Sequence, residues 1–203
     1  MMNLLRRPQL LLLLLMLAAV GVAASACGDD EGSGSGASAN GIDRAFVAEM
    51  VPHHESAVKM AEMAQEKAQH PEVKKLADAI VKAQNDEIKT MNGLAKEMDD
   101  EGVEKGDLGM ARDDMGMGGD MSMLEDAKPF DREFIDMMIP HHQSAIRMAH
   151  MQLDKGKDPE TKKLAQAIVD AQTKEIDEMN MWRVDWYGKL SPAGGVPVEK
   201  EHH

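Results

Sequence analysis

The sequence predicts an all-α fold, a four-helix bundle made of two duplicated helical hairpins, on three observations. Of the 203 residues 43% are hydrophobic but only 3% aromatic, so a core must be built from Ala, Leu, Ile, Val and Met. Such a core suits packed helices better than strands, which favour β-branched and aromatic residues. Shifted by 88 positions, residues 43–92 align with residues 131–180 without a gap and are identical at 28 of 50 positions, an internal duplication. Within each copy apolar residues recur at spacings of three and four, the mark of one helical face. One hairpin leaves that stripe exposed, and two copies bury it against each other.

The elements follow in chain order. Residues 1–26 read as an export signal, with Arg6 and Arg7, an apolar run from Leu10 to about Ala23, and Ala24-Ser25-Ala26 before Cys27. The spacing resembles the bacterial lipoprotein box, which implies that Cys27 is lipidated and anchors an extracytoplasmic protein to the cell membrane. The alternative is an uncleaved N-terminal anchor, for which the run is short against a span of about 20 residues. Residues 27–41 are acidic and rich in Gly and Ser, a flexible linker. The bundle is expected over residues 42–190, with hairpins at 43–98 and 131–187. In the first hairpin Phe46, Met50, His53, Ala57, Met60 and Ala64 form one stripe, and Leu76, Ala79, Ile80, Ala83, Ile88 and Met91 form the next. His70-Pro71 and Asp158-Pro159 open the second helix of each copy, as a cap followed by proline at the first helical position. Residues 99–128 are a Met-rich connector, and residues 191–203 are a tail ending in His202-His203, a natural metal-binding end or a remnant of expression. Trp182, Trp186 and Tyr187 close the last helix, where packing or capping of a bundle end accounts for them.

Charge and cysteine content exclude several functions. Asp and Glu number 36 against 23 Lys and Arg, a formal charge of −13 that becomes −15 once Arg6 and Arg7 leave with the signal. A nucleic-acid partner is excluded, because binding phosphates needs a basic face. The single Cys excludes a disulfide scaffold and a Cys-type zinc site. The anomaly is methionine, with 19 residues beside 8 His.

The sharpest match between the copies is Met50-Val51-Pro52-His53-His54, continuing to Met60-Ala61-Glu62-Met63, against Met138-Ile139-Pro140-His141-His142, continuing to Met148-Ala149-His150-Met151. These residues resemble the Met-x-Pro-His-His…Met-Ala-x-Met signature of the bacterial family called domain of unknown function 305, over nearly all of residues 42–187. The resemblance implies a ferritin-like four-helix bundle, usually exported, with copper binding in some members.

On a helix turning about 100° per residue, His53, Met50 and Met60 share one face and His54 flanks it, and copy two repeats this with Met138, His141, His142, Met148 and Met151. Pro52 and Pro140 lack the amide that would bond four residues back, so a kink or break is expected beside each His pair. Imidazole nitrogen and thioether sulfur together favour a soft or borderline ion, Cu(I) first, then Cu(II), Ag(I) or Zn(II). The candidate ligands are therefore Met50, His53, His54, Met60 and Met63 with Met138, His141, His142, Met148 and Met151. The competing account is that Met fills core gaps and the His pairs satisfy buried hydrogen bonds.

The connector supplies a second candidate region, Met110, Met115, Met117, Met121 and Met123, in a stretch that reads as too polar and Gly-rich to bury them. Such spacing lets a loop wrap sulfurs around Cu(I) or Ag(I), or offers sacrificial targets for oxidants. An enzyme is not expected. A di-iron oxidase needs Glu-x-x-His pairs, and no acid lies three residues before any of the four histidines, while Glu87 and Glu175 supply two ligands at most. Ser56 and Ser144 each lie three residues after a His without an acid partner or oxyanion element. The leading expectation is an exported, lipid-anchored protein that binds copper and buffers, sequesters or exchanges it with a donor or acceptor protein. The alternative is a metal-free helical interaction or envelope-stress module, and behind it a redox enzyme.

Overall fold

The computed structural model describes residues 38–116 and 121–197. The expected signal, Cys27, the linker up to residue 37, Met117 and the His202-His203 end lie outside the described residues. Among the described residues all regular structure is helical: α1 Gly41–Lys67, α2 Pro71–Asp100, a 3₁₀ turn Arg112–Met115, α3 Met121–Glu125, α4 Phe130–Lys155 and α5 Pro159–Tyr187. None of these helices is long and apolar enough to cross a membrane.

Local chemistry sets the helix ends. Asn40 Oδ1 accepts from the amides of Ile42 and Asp43, while Asp43 Oδ2 accepts from the Asn40 amide at 2.7 Å, a capping box that opens α1. Asp158 accepts from the Thr161 amide at 2.7 Å ahead of Pro159, as the sequence predicts for α5. Its counterpart His70 makes no side-chain cap. Gly188, at φ 77°, ends α5 in the left-handed conformation.

Each copy is a hairpin, α1 with α2 and α4 with α5, and the hairpins meet chiefly through α1 and α4. Two core clusters show that these inner helices run antiparallel. Ala45, Phe46, Val47 and Met50 from the start of α1 share a cluster with Met148 and Ala149 from the far half of α4. Ala57, Met60, Ala61 and Ala64 from the end of α1 share the other with Phe130, Phe134, Ile135 and Met138 from the start of α4. Between the two apolar stretches of each inner helix lie His53-His54 and His141-His142, all buried. Gln84 on α2 and Gln172 on α5, each 3% exposed, sit at the corresponding height.

Two buried aspartates, related by the 88-residue repeat, join each hairpin to the other. The Asp43 carboxylate accepts from the amides of Lys157 and Asp158 and from Gln152 Nε2, so the start of α1 holds the α4–α5 turn. Asp131 accepts from the amides of Gln69 and His70 and from His70 Nδ1 at 2.5 Å, so the start of α4 holds the α1–α2 turn. Four partners per carboxylate at most, each otherwise an orphan donor, explain why acids this deeply buried are tolerated.

Three expectations need correction. Neither inner helix breaks at its proline: α1 and α4 run unbroken through Pro52 and Pro140. One missing amide removes a single bond from a helix whose neighbours remain paired and packed. In α2 Ala79 and Ala83 are exposed, and the buried stripe is Val73, Leu76, Ala77, Ile80, Gln84, Met91, Leu94 and Met98. Alanine serves equally well on the wet face of a helix, so its spacing carries little information there. Residues 191–197 stay with the bundle rather than forming a free tail: Ala193 and Val196 pack against the core. Gln143 Nε2 donates to the carbonyls of Ala193 at 2.9 Å and Gly195 at 2.6 Å, and Asn180 donates to Gly194. Trp182 and Trp186 stack at 5.6 Å and pack against the same cluster, which agrees with their reading as end packing.

Candidate metal centre

The four histidines meet in the middle of the bundle. The rings of His53 and His141 lie 3.7 Å apart between centroids and are tilted by 35°. His54 stands 6.2 Å from His53, and His142 stands 6.5 Å from His141. His54 Nε2 donates to Glu87 Oε2 at 2.7 Å, and His142 Nε2 donates to Glu175 Oε2 at 2.6 Å. Ser144 Oγ donates to the His141 carbonyl at 2.6 Å, which leaves its oxygen to accept from His53 Nε2 at 2.8 Å.

The remaining ring nitrogens are orphans. Nδ1 of His53, His54 and His142 and both nitrogens of His141 are buried without a hydrogen-bond partner. Gln84 Oε1 and Gln172 Oε1 are in the same condition. A neutral imidazole carries one N–H, and the His53 backbone that approaches His141 does so in a geometry too poor to make a proper hydrogen bond. Burial first, and then the neighbouring imidazoles, hold the pKa values of His53 and His141 well below the ordinary histidine range. Both rings are therefore neutral near pH 7, with lone pairs available to an ion.

Met50 and Met60, which lie on one helical face with His53, fall in different core clusters, on opposite sides of the histidines. Met50 and Met91 of copy one share a cluster with Met148 of copy two, and Met138 and Met179 of copy two share the other with Met60 of copy one. Each apolar end thus draws its thioethers from both hairpins, because antiparallel pairing of α1 and α4 places Met50 opposite Met148. Met63 and Met151 pack, partly buried, at the cluster edges. Among the described residues no three His, Cys, Asp or Glu side chains stand together as a metal-binding group.

The connector also needs correction, because core packing does account for most of its described methionines. Met115 is 8% exposed within the second cluster, and Met110 and Met121 pack against the two clusters, while Met123 is 61% exposed. The connector lies against α4, where Arg147 Nη2 donates to the Asp114 carbonyl at 3.1 Å. Gly116, at φ 69°, passes directly over the His53–Ser144 hydrogen bond, and a Cβ there would collide with Ser144 Oγ. Only glycine lets the connector lie this close.

The model of the family described as Domain of unknown function (DUF305) matches residues 43–183. The chain belongs to the DUF305 family. Among solved structures, CopM in the Cu(I)-bound form is 41% identical, with a TM-score of 0.61, covering 72% of this chain and 98% of that one. CopM has also been solved in Ag-bound and Cu(II)-bound forms. A DUF305 protein from Streptomyces coelicolor, 24% identical with a TM-score of 0.63 over 74% of this chain and 96% of that one, shares the fold. A curated protein, L153 of Acanthamoeba polyphaga mimivirus, is 44% identical over 50 residues, which span 25% of this chain and 33% of that protein.

Several buried residues near the histidine layer escape a reading of the His-His motif alone. Met91, Met179, Gln84 and Gln172 are identical across the 88-residue repeat and all buried, so repeat identity on an otherwise apolar helix face was the available signal. Gly116 has no counterpart in a second copy, and only the docked connector reveals it.

Proposed function

We propose that this chain binds copper, Cu(I) before Cu(II) or Ag(I), as cargo held at the buried histidines and the thioethers beside them. The observation that carries this reading is the set of five imidazole nitrogens buried without partners in a layer between two methionine-containing clusters. A folded protein rarely leaves such groups unsatisfied, and a coordinated ion satisfies nitrogen lone pairs that no hydrogen bond reaches. Depressed His53 and His141 pKa values mean that an ion entering near pH 7 displaces no proton from either ring. Because no three His, Cys, Asp or Glu side chains stand together as a metal-binding group among the described residues, Met sulfur would complete the ligand set, and it selects soft Cu(I) over hard cations. The copper-bound and silver-bound forms of CopM support the same choice of ion.

Cellular placement belongs to this proposal. The Arg-flanked apolar run and the small residues before Cys27 support export and lipid anchoring, so the protein would buffer, sequester or pass on copper outside the cytoplasm. Cys27→Ser should move the protein from the membrane fraction to the soluble one, and retention at the membrane refutes lipidation as the anchor.

The decisive test is titration with Cu(I) against a competing chelator. The wild type should hold the ion, and a variant with His53, His54, His141 and His142 all changed to Ala should lose it. His141→Leu gives a cleaner control: without metal its stability should stay within about 1 kcal/mol of wild type, because an orphan donor is removed. Its melting temperature should no longer rise on adding Cu(I), whereas the wild type gains about 2.7 kcal/mol at a hundredfold excess over Kd. Equal Cu(I) binding by wild type and quadruple variant refutes the site.

A further inference from the structure

We infer that Glu87 and Glu175 are positioning residues that decide which imidazole nitrogen takes the ion: each holds its histidine, His54 or His142, with the proton on Nε2 and the lone pair on Nδ1. The inference rests on the copper reading for the identity of the ion, but not for the state of the rings.

The two pairs are built alike. His54 and His142 are fully buried, while Glu87 and Glu175 are 20% and 19% exposed and approach from the outer helices α2 and α5. Both contacts join Nε2 to Oε2, at 2.7 and 2.6 Å. A carboxylate only accepts, so the hydrogen in each pair belongs to Nε2. A ring that carries a single N–H then spends it toward the outside of the bundle, and Nδ1 keeps its lone pair. In both rings that Nδ1 is buried and unpartnered. A carboxylate on the far nitrogen also fixes the ring's rotation and strengthens the near nitrogen as a donor to a metal.

His53 is set the same way by other means. The Ser144 hydroxyl spends its proton on the His141 carbonyl and therefore accepts from His53 Nε2, which again leaves Nδ1 unprotonated. Three of the four histidines thus offer Nδ1, and Glu87 and Glu175 each meet the ring at the opposite nitrogen. Within the repeat Glu87 and Glu175 are identical while neighbouring acids differ: Asp86 stands opposite Lys174 and Asp78 opposite Gln166.

The test is long-range 1H–15N correlation of the histidine rings in the 15N-labelled protein, first metal-free and then with Ag(I) as a diamagnetic probe. Metal-free His54 and His142 should show a pyrrole-like Nε2 and a pyridine-like Nδ1, and Ag(I) should shift Nδ1 while Nε2 keeps its proton. E87A with E175A should give mixed tautomers and weaken Ag(I) binding by roughly 10- to 100-fold. E87Q with E175Q, whose amide oxygens still accept, should restore the Nε2–H tautomer and most of the affinity, which separates orientation from charge and from folding. An Nδ1–H tautomer in the metal-free wild type, or coordination through Nε2, overturns the inference. Wild-type rings in the Nε2–H form that ignore Ag(I) and Cu(I) alike sustain the positioning role and overturn the copper reading instead.

Discussion

His53 and His141 stack at 3.7 Å between centroids in the middle of the bundle, and their burial has a consequence in solution. In the unfolded chain each titrates near pH 6.5, whereas in the fold burial and the surrounding imidazoles keep both neutral to well below that. Below about pH 6.5 the unfolded state binds more protons than the native one, so stability falls as pH falls. The two rings together can contribute a slope of at most about 2.7 kcal/mol per pH unit. Denaturant unfolding of the metal-free protein should show a plateau above about pH 7.5 and a steep loss between pH 6.5 and 5.5, before most carboxylates titrate. A flat profile across that range refutes neutral, desolvated rings. At this scale the sequence already singled out the four histidines by type and repetition. What it could not show was the hydrogen bonding of each nitrogen, because Glu87, Glu175 and Ser144 reach them from other helices or from the other copy.

The inner helices are positioned by groups at their first turns. Asp43 and Asp131 each hold the inter-helix turn of the opposite hairpin through buried hydrogen bonds, a reciprocal exchange that follows the repeat. Replacing either by Ala strands several amides at once, so each single variant should lose at least about 2 kcal/mol, more than the roughly 1 kcal/mol of an ordinary cap. Asn, with one oxygen to accept, should recover part of that loss. Urea denaturation of Asp43→Ala and Asp131→Ala decides it, and a loss below about 0.5 kcal/mol contradicts the role. The helices themselves were legible from periodicity, and of the two expected caps Asp158 forms while His70 does not. The inward register of α2 was not, because Ala79 and Ala83 look apolar while the buried Gln84 looks like surface. The connector misled for a related reason: a Gly-rich, polar stretch reads as loop, and only its docking beside Arg147 gives Met115 a place in the core.

Taken whole, the molecule is a pair of like hairpins joined across α1 and α4, with α2 and α5 meeting only marginally. Both core clusters draw residues from both hairpins, so residues 38–103 alone should not persist as a folded monomer. They should associate into a two-fold dimer that restores the four-histidine layer, with His53 and His54 supplied twice. Sedimentation equilibrium checks this, and a stable helical monomer contradicts it. The second hairpin is a poorer candidate for the same behaviour, since Gln143 and Asn180 are occupied in binding residues 191–195.

The sequence by itself determined the helical class and the duplication, because these depend on composition, local periodicity and repetition. Only the tertiary structure decided how the ligating atoms are grouped. Antiparallel pairing of α1 with α4 separates Met50 from Met60, joins Met50 and Met91 with Met148 in one cluster, and brings both His pairs into one layer. Contacts between residues about 90 positions apart are set by which helix faces share a core, and no local pattern encodes that choice.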